Sequence, residues 1–443
     1  MRRRARWLLV LNFFIPGAAQ LVAGSKRLAR VGLLVTLLGW ITVVAVVATA
    51  VIHRVALISL FTNQQGLTAV GWTLTGIGLV FAILSFDTIR LARVGRTGPK
   101  ARWIYLVAFL LVGLLPAGTL ITTASFATRA STVLTNVFRN SGVMTPAKGR
   151  FNVLLLGGDS GSDRFGLRPD SISVLSINAN TGSIVNIGIP RNLQHAPFPV
   201  GTPMHKHYPG GYWDNAGNLI NAIYKDVTDN FAYEYPKAKA QHSTPGVEAT
   251  KEAVEGVTGL KIKYYILIDM KSFAKLVNAL GGLTMTVKHC LPVGGYVASH
   301  QDCLPINGQR DDLSDVVEWL HPGKQHLDGF HALWYARSRH GSTDYARMQR
   351  QREVENALLA QINIVNILTK FDAIASAGES LLKTNIPKQS VATLVDLAIK
   401  AKSKKGIKSL ELGEGETVGV ADSVGETVGV AEVVGAPVAP QFG

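Results

Sequence analysis

Phe151-Asn152-Val153-Leu154-Leu155-Leu156-Gly157-Gly158-Asp159-Ser160-Gly161 is a short apolar run closed by glycines, the pattern of a buried strand tipping into a tight turn. Arg168-Pro169-Asp170-Ser171 follows, and Ile172 to Ile177 predicts a second strand. Asn180-Thr181-Gly182-Ser183 turns the chain into a third strand that ends at Ile189-Pro190-Arg191. Asp159, Asp170, Arg168 and Arg191 thus stand at strand ends, where α/β folds place their chemistry. The plainer alternative is that these charges only solvate loops.

The 443 residues carry a net charge of +15, and its distribution argues against a nucleic-acid partner. Residues 1–130 hold 14 Lys and Arg and one acid, Asp87, whereas the other 313 residues hold 31 basic and 29 acidic residues. The excess flanks hydrophobic segments, as the positive-inside rule requires. Neither zinc-finger spacing nor a basic patch interleaved with aromatics is present.

Four apolar segments precede residue 130: 7–23, 31–52, 67–87 and 103–126. A span needs about 20 apolar residues, so the last three qualify as transmembrane helices. The first is short and carries Asn12, Pro16-Gly17 and Gln20, with arginines before it and Lys26, Arg27 and Arg30 after it. Basic residues on both flanks make it a re-entrant segment that breaks at Pro16-Gly17. Three spans from a cytoplasmic N-terminus place the rest of the chain outside the cell, making a multi-pass protein of the cell membrane with an extracytoplasmic domain. A spanning first segment would reverse that placement or break the charge rule.

Residues 131–150 read as a polar linker, 151–405 as the exported domain, and 406–443 as a flexible low-complexity tail in which Gly415 to Ala421 recurs at Gly425 to Ala431. Within the domain, Pro245 opens a helix that Gly259 ends, Tyr264 to Asp269 is a strand, Met270 to Leu280 a helix and Leu283 to Val287 a strand. A long helix starts at Tyr345, with Arg347 and Gln351 four residues apart on one face of its first turns. Cys290 and Cys303 are the two cysteines. On the exported side this spacing favours a disulfide; two unpaired thiols are the alternative, and no ligand-spaced partners support zinc.

Arg168, Arg191, Arg337, Arg339 and Arg347 are many arginines for a near-neutral domain, and planar guanidinium forks suit a diphosphate. Asp159 and Asp170 suit magnesium or manganese, bound by one or two carboxylates and phosphate oxygens. The alternative is a set of surface ion pairs of little energetic weight. A rival reading takes Gly158-Asp159-Ser160 as the GDS motif of serine esterases, with Ser160 as nucleophile, His331 as base and Asp328 orienting it. That reading leaves the arginines idle.

The ordered set resembles the LytR-CpsA-Psr family from about Phe151 to Leu368. It is similar to that family at Asn152 to Asp159, Arg168-Pro169-Asp170-Ser171, Ile189-Pro190-Arg191, Ile220 to Tyr224, Gly281-Gly282, Pro322 to Gly329, Tyr335 to His340, Asp344, Arg347 and Arg350-Gln351. The resemblance implies a mixed central sheet with helices on both faces. It also implies a membrane-anchored, metal-dependent phosphotransferase that moves a glycopolymer from a polyprenyl-pyrophosphate carrier onto peptidoglycan through a phosphodiester. Asp159 and Asp170 would hold the metal. Arg191, Arg337, Arg339, Arg347 and Gln351 would grip the pyrophosphate, Arg191, Arg337 and Arg339 acting in catalysis, and an apolar tunnel would take the prenyl tail. The chain departs from the family's pattern at Gly161-Ser162-Asp163, at Pro169 and Ser171, and at Asn192, where an acid is usual. The same residues would also serve a lipid-diphosphate hydrolase, or a non-catalytic wall or lipid receptor.

Overall fold

The computed structural model describes residues 2–24, 26–53, 56, 59–60, 64–93, 99–139, 142–159, 167–213, 217–294, 296–297, 303, 313–314, 316–338, 344–361, 382–403, 407–412, 420–421 and 427–428. The chain divides into two compact units, Met1–Thr135 and Asn136–Gly443.

The first unit is helical: α1 (Arg2–Phe14), α2 (Ala18–Ala23), α3 (Lys26–Ile52), α4 (Gln64–Leu91) and α5 (Pro99–Val137). Among the described residues, three helices are long and apolar enough to cross a membrane, over Lys26–Thr49, Gln65–Leu91 and Arg102–Ser125. The segment before them does break at Ile15-Pro16-Gly17, where Gly17 has φ 98°. A Cβ on Gly32 would lie 2.6 Å from Gly17 Cα, so the two glycines let α2 cross α3 backbone to backbone. The side-chain nitrogens of Asn12 and Gln20 in the broken segment bond to α4. Asn12 Nδ2 donates to Ser85 Oγ at 3.0 Å, and Gln20 Nε2 donates to Leu84 O at 2.8 Å and Thr88 Oγ1 at 2.9 Å. Without water, such groups must find partners inside the bundle.

The strands of the second unit are β1 (Arg150–Asp159), β2 (Arg168–Asn178), β3 (Ile184–Ile189), β4 (Tyr264–Asp269), β5 (Leu283–Val287), β6 (Leu291–Val293), β7 (Tyr296–Val297), β8 (Leu313–Ser314), β9 (Glu318–Leu320), β10 (Gly323–Leu327), β11 (Leu382–Thr384) and β12 (Ile407–Glu411). Its helices are α6 (Pro203–His207), α7 (Ile223–Asn230), α8 (Pro245–Thr258), α9 (Met270–Leu280), α10 (Gly329–Arg337), α11 (Asp344–Gln361) and α12 (Val391–Ser403). The central sheet has the order β11-β4-β1-β2-β3-β12. β1 pairs parallel with β4 and antiparallel with β2, and β3 pairs parallel with β12, so the sheet is mixed.

The apolar run of β1 lies at the centre and is buried on both faces, which is why it reads as continuous rather than alternating. Leu154, Leu156, Ile172, Val174, Ile187 and Ile189 pack on one side with Ile223, Val227, Val247 and Val254 of α7 and α8. Val153, Leu175, Ile177 and Ile184 pack on the other with Leu397 of α12 and Leu359 of α11. Helices thus cover both faces, as expected. Beside the sheet, the β5–β10 ribbon packs with α9, α10 and α11.

Two boundaries differ from the sequence reading. Residues 131–150 are not a free linker: α5 continues to Val137, Arg139 N donates to Ile386 O at 3.0 Å, and Met144 N donates to Ser390 Oγ at 2.7 Å. These bonds lie within the second unit, which begins at Asn136. Nor does the tail begin at 406. Ile407–Glu411 is the edge strand β12, aligned with Ile184–Gly188, and Leu412 behind it is buried. In the repeats themselves, Val420–Ala421 pairs antiparallel with Thr427–Val428.

Candidate active site

The β1–β2 ladder is regular from Arg150 to Gly157 and then shifts. Gly157 pairs with Ser171, Gly158 with Pro169 and Asp159 with Arg168, leaving Asp170 as the extra residue of a β-bulge. A bulge re-aims the side chain it carries, and here that side chain is a carboxylate. On the other side of β2 the ladder with β3 ends at Ile172–Ile189, because Pro190 has no N–H to donate. Arg191, freed from the ladder, places Nη1 2.5 Å from Asp170 Oδ1. The pair is about a quarter exposed. The backbone oxygen of Arg191 accepts from Asn221 N at 3.3 Å, so the turn before α7 abuts the same end of the sheet.

The orientation of α11 brings further polar residues to this end. Glu355 Oε2 accepts from Asn186 Nδ2 at 2.8 Å, from Ser173 Oγ at 3.3 Å and from Arg352 Nη1 at 2.9 Å. One turn further, Leu359 packs in the cluster with Leu175 and Ile177. The helix therefore runs away from Asp170, and its first turns point toward the bulge. Gln351 and Arg347 lie one and two turns before Glu355, about 6 and 12 Å along the axis. Asp170 lies three residues before Ser173, about 10 Å along the strand. Arg347 and Gln351 are buried, and Gln351 Oε1 has no hydrogen-bond partner among the described residues. That amide retains unused hydrogen-bonding capacity.

Arg350 ties α11 to α10. Its Nε donates to Tyr335 O at 3.2 Å and its Nη2 donates to Ser338 O, meeting carbonyls at the C-terminal end of α10. Burial depresses its pKa, Tyr335 and Glu353 opposing. Tyr335 donates its hydroxyl to Glu353, and burial together with that carboxylate pushes the phenol pKa up. Arg337, in the last turn of α10, is exposed and lies 5.5 Å from the Trp334 ring centroid, a cation–π contact.

Of the expected residues, Asp170 and Arg191 are thus in contact, and Arg347 and Gln351 converge on their end of the sheet. Arg168 is exposed and opposite Asp159 in the register. The Asp159 side chain, Ser160 and Arg339 lie outside the described residues. The sequence reading missed the positioning by Glu355 and Arg350. An i,i+3 pair, Arg352–Glu355, was the available signal, but it does not reveal the sheet residues it meets.

The base assigned in the esterase reading, His331, lies between two carboxylates. Asp328 does contact His331, Oδ1 to Nδ1 at 2.6 Å, but His331 Nε2 lies 2.5 Å from Glu318 Oε1. Burial opposes charge on the ring, but both ring nitrogens face carboxylates, which favour the protonated ring and raise its pKa. Asp328 also caps α10, accepting from His331 N at 2.9 Å. Cys290 and Cys303 form a disulfide with Cα atoms 5.3 Å apart. His321 stands beside them, but sulfurs spent in a disulfide leave no thiolates for a metal.

The second unit is a mixed α/β domain with an acid–arginine pair at a bulged strand end, and it follows helices long and apolar enough to cross a membrane. Residues 121–429 match the LytR_cpsA_psr family, and the chain belongs to it. It is 26% identical over 275 residues to Biofilm regulatory protein A of Streptococcus mutans, covering 60% of this chain and 58% of the relative. It is 26% identical over 281 residues to the polyisoprenyl-teichoic acid–peptidoglycan teichoic acid transferase TagU of Oceanobacillus iheyensis, covering 61% and 69%. A crystal structure of a Streptococcus agalactiae protein aligns over 63% of this chain and 82% of that one, at 25% identity and a TM-score of 0.42.

Proposed function

We propose that the chain is a membrane-anchored phosphotransferase of cell-wall assembly, working outside the cell. It moves a glycopolymer from a polyprenyl-pyrophosphate carrier onto peptidoglycan. The observation that carries this reading is the Asp170–Arg191 pair at the bulge, toward which the first turns of α11 bring Arg347 and Gln351. The transferase name of the Oceanobacillus iheyensis relative supports it.

In the reaction, an acceptor hydroxyl attacks the phosphorus that carries the glycan. The new P–O bond forms as the bond to the bridging oxygen breaks, polyprenyl phosphate leaves, and the hydroxyl proton passes to a base. Arg191 would hold a non-bridging oxygen of the pyrophosphate in a planar fork. Arg347 and Gln351 would bind the same head group from α11, and Arg168, Arg337 and Arg339 would add donors around it.

Asp159 and Asp170 would hold a divalent cation. Their oxygen-only donor set fits magnesium or manganese. Asp170 also fits by geometry: Arg191 engages Oδ1, and the carboxylate has a second oxygen to offer. When bound, such an ion neutralises charge growing on the leaving phosphate. Arg191 meanwhile fixes the carboxylate's orientation.

The purified full-length chain in detergent, given a polyprenyl-diphosphate glycan and peptidoglycan sacculi, should release polyprenyl phosphate and leave glycan phosphate bound to the wall. Release of free glycan phosphate with no wall-bound product would make the chain a hydrolase instead.

A further inference from the structure

The segment that leaves Arg191 carries an aromatic ridge to which the proposed reaction assigns no role. Phe198 stacks with Tyr208 at 6.2 Å between centroids, and Tyr208 meets Tyr212 at 5.2 Å and Phe231 at 6.0 Å. Phe231 in turn meets His207 at 4.7 Å and Tyr233 at 6.4 Å. The series is graded. Phe198 and Tyr212 are buried, Tyr208 and Phe231 are half-buried, and Tyr233 is 68% exposed. Tyr233 therefore stands on an aromatic base that is packed against the core, and it is the ring most open to solvent.

Polar groups rim the ridge in fixed positions. His207 Nε2 lies 2.8 Å from Glu234 Oε1, Tyr208 donates its hydroxyl to Asp226 at 3.1 Å, and Asn230 Nδ2 donates to Asp226 at 2.7 Å. The charges are mixed, Lys225 pairing with Asp229 and His207 with Glu234. A membrane surface rich in anionic lipid would be drawn to a basic excess, which this surface lacks. Flat rings beside carboxylates and an amide instead match a sugar chain, whose C–H faces stack on rings while its hydroxyls seek acceptors.

The ridge is also continuous with the reacting end of the sheet. Asn221 N meets Arg191 O, and α7 then carries the chain about 12 Å to Phe231. That is the scale of a few sugar residues.

We propose that the His207–Phe231–Tyr233 ridge is the subsite that seats the glycan backbone of the acceptor polymer. The proposal rests on the reading above, in which the acceptor is peptidoglycan. The ridge would hold the strand while one hydroxyl reaches the diphosphate.

The test uses the full-length chain in detergent and a peptide-free tetrasaccharide of alternating N-acetylglucosamine and N-acetylmuramic acid. Titration by saturation-transfer NMR should show contact at the sugar C–H protons. Tyr233→Ala should weaken binding about tenfold, and Tyr233→Phe should keep it. His207→Ala should weaken it as well, while binding of the polyprenyl-diphosphate donor stays unchanged in all three. Tyr233 is exposed, so melting temperatures should match the wild type. Tetrasaccharide binding unaltered by Tyr233→Ala and His207→Ala would overturn the proposal. So would loss of binding to phosphatidylglycerol vesicles as the only defect. A wild type that transfers glycan to sacculi but does not bind the tetrasaccharide overturns the ridge and leaves the transferase standing. Ridge-dependent binding without transfer does the reverse.

Discussion

Arg191 Nη1 lies 2.5 Å from Oδ1 of Asp170, the one residue that the β1–β2 ladder leaves unpaired at its bulge. Both ends of the contact are products of broken pairing. Asp170 is turned out of the ladder by the register shift, and Arg191 follows a proline that ends β3. Twenty-one residues apart in sequence, they meet because β2 and β3 are antiparallel neighbours.

The metal assignment is tested at Asp170. Asp170→Asn keeps the shape and removes one anionic oxygen. The magnesium concentration giving half-maximal transfer should rise about tenfold or more, an effect of the size seen when metal-site partners are removed. An unchanged magnesium requirement, or full activity with chelator present, would remove Asp170 from the metal site.

Glu355 holds α11 on the sheet. Glu355→Ala would leave Asn186, Ser173 and Arg352 without their shared acceptor. Removing one partner of a largely buried charged pair costs about 3–5 kcal/mol. Denaturant unfolding should show a loss of at least part of that size. Transfer should fall further than stability alone explains, since Arg347 and Gln351 sit on the same helix. A variant as stable as the wild type would mean the contact is incidental.

Arg350→Ala uncouples α10 from α11. Two carbonyls at the end of α10, Tyr335 O and Ser338 O, would lose their donor. Each unsatisfied buried group costs about 1–3 kcal/mol. The melting temperature should drop, and the loss in kcat should exceed that of Arg337→Ala, which removes an exposed guanidinium. Equal losses would indicate that Arg350 does not position the end of α10.

The sheet and the strand-end charges were legible because β1 and β2 are local neighbours: a buried apolar run, a glycine stop and a second apolar run specify a hairpin-like pair without long-range knowledge. The bulge at Asp170 was not legible. Nothing in Pro169-Asp170-Ser171 tells which residue drops out of the ladder, since that depends on the partner strand. Nor was the Glu355–Asn186 bond, which joins residues 169 apart. β12 was hidden for a related reason. Ile407 to Glu411 is a short edge strand whose pairing with β3 is parallel and distant, and the repeats just beyond it dominate the local composition.

His331 makes stability depend on pH. Burial opposes its charge, but the Glu318 and Asp328 carboxylates outweigh burial and raise its pKa above 6.5. The folded state thus holds the proton more tightly than the unfolded state. The contribution is complete below the unfolded value and is lost as pH rises through the folded one. Asp328 is the opposite case. Burial alone would raise it, but backbone N–H donors and the imidazolium hold it below 3.8. Its contribution is present above that value and is lost as pH falls through the depressed one. Wild type minus His331→Gln should therefore show an advantage below pH 6.5 that shrinks as pH rises above it. A difference independent of pH would show that the ring packs without carrying charge.

Arg191 and Ser160 separate phosphotransfer from ester hydrolysis. Arg191→Ala removes one or two charge-assisted hydrogen bonds to the donor, at about 1.5–3 kcal/mol each. Donor binding or turnover should fall tenfold or more. Arg191→Lys should recover only part of this, because a point ammonium cannot reproduce a planar fork that would have to meet Asp170 and phosphate together. Ser160→Ala should leave transfer nearly intact. In ester hydrolysis the order inverts: the serine is the nucleophile and Arg191 is dispensable. In this structure His331 contacts both Asp328 and Glu318. Ser160 follows the core strand β1, so each variant needs a melting curve beside its kinetics. A Ser160→Ala protein that melts like the wild type yet is inactive, alongside fully active Arg191 variants, would refute phosphotransfer at this site.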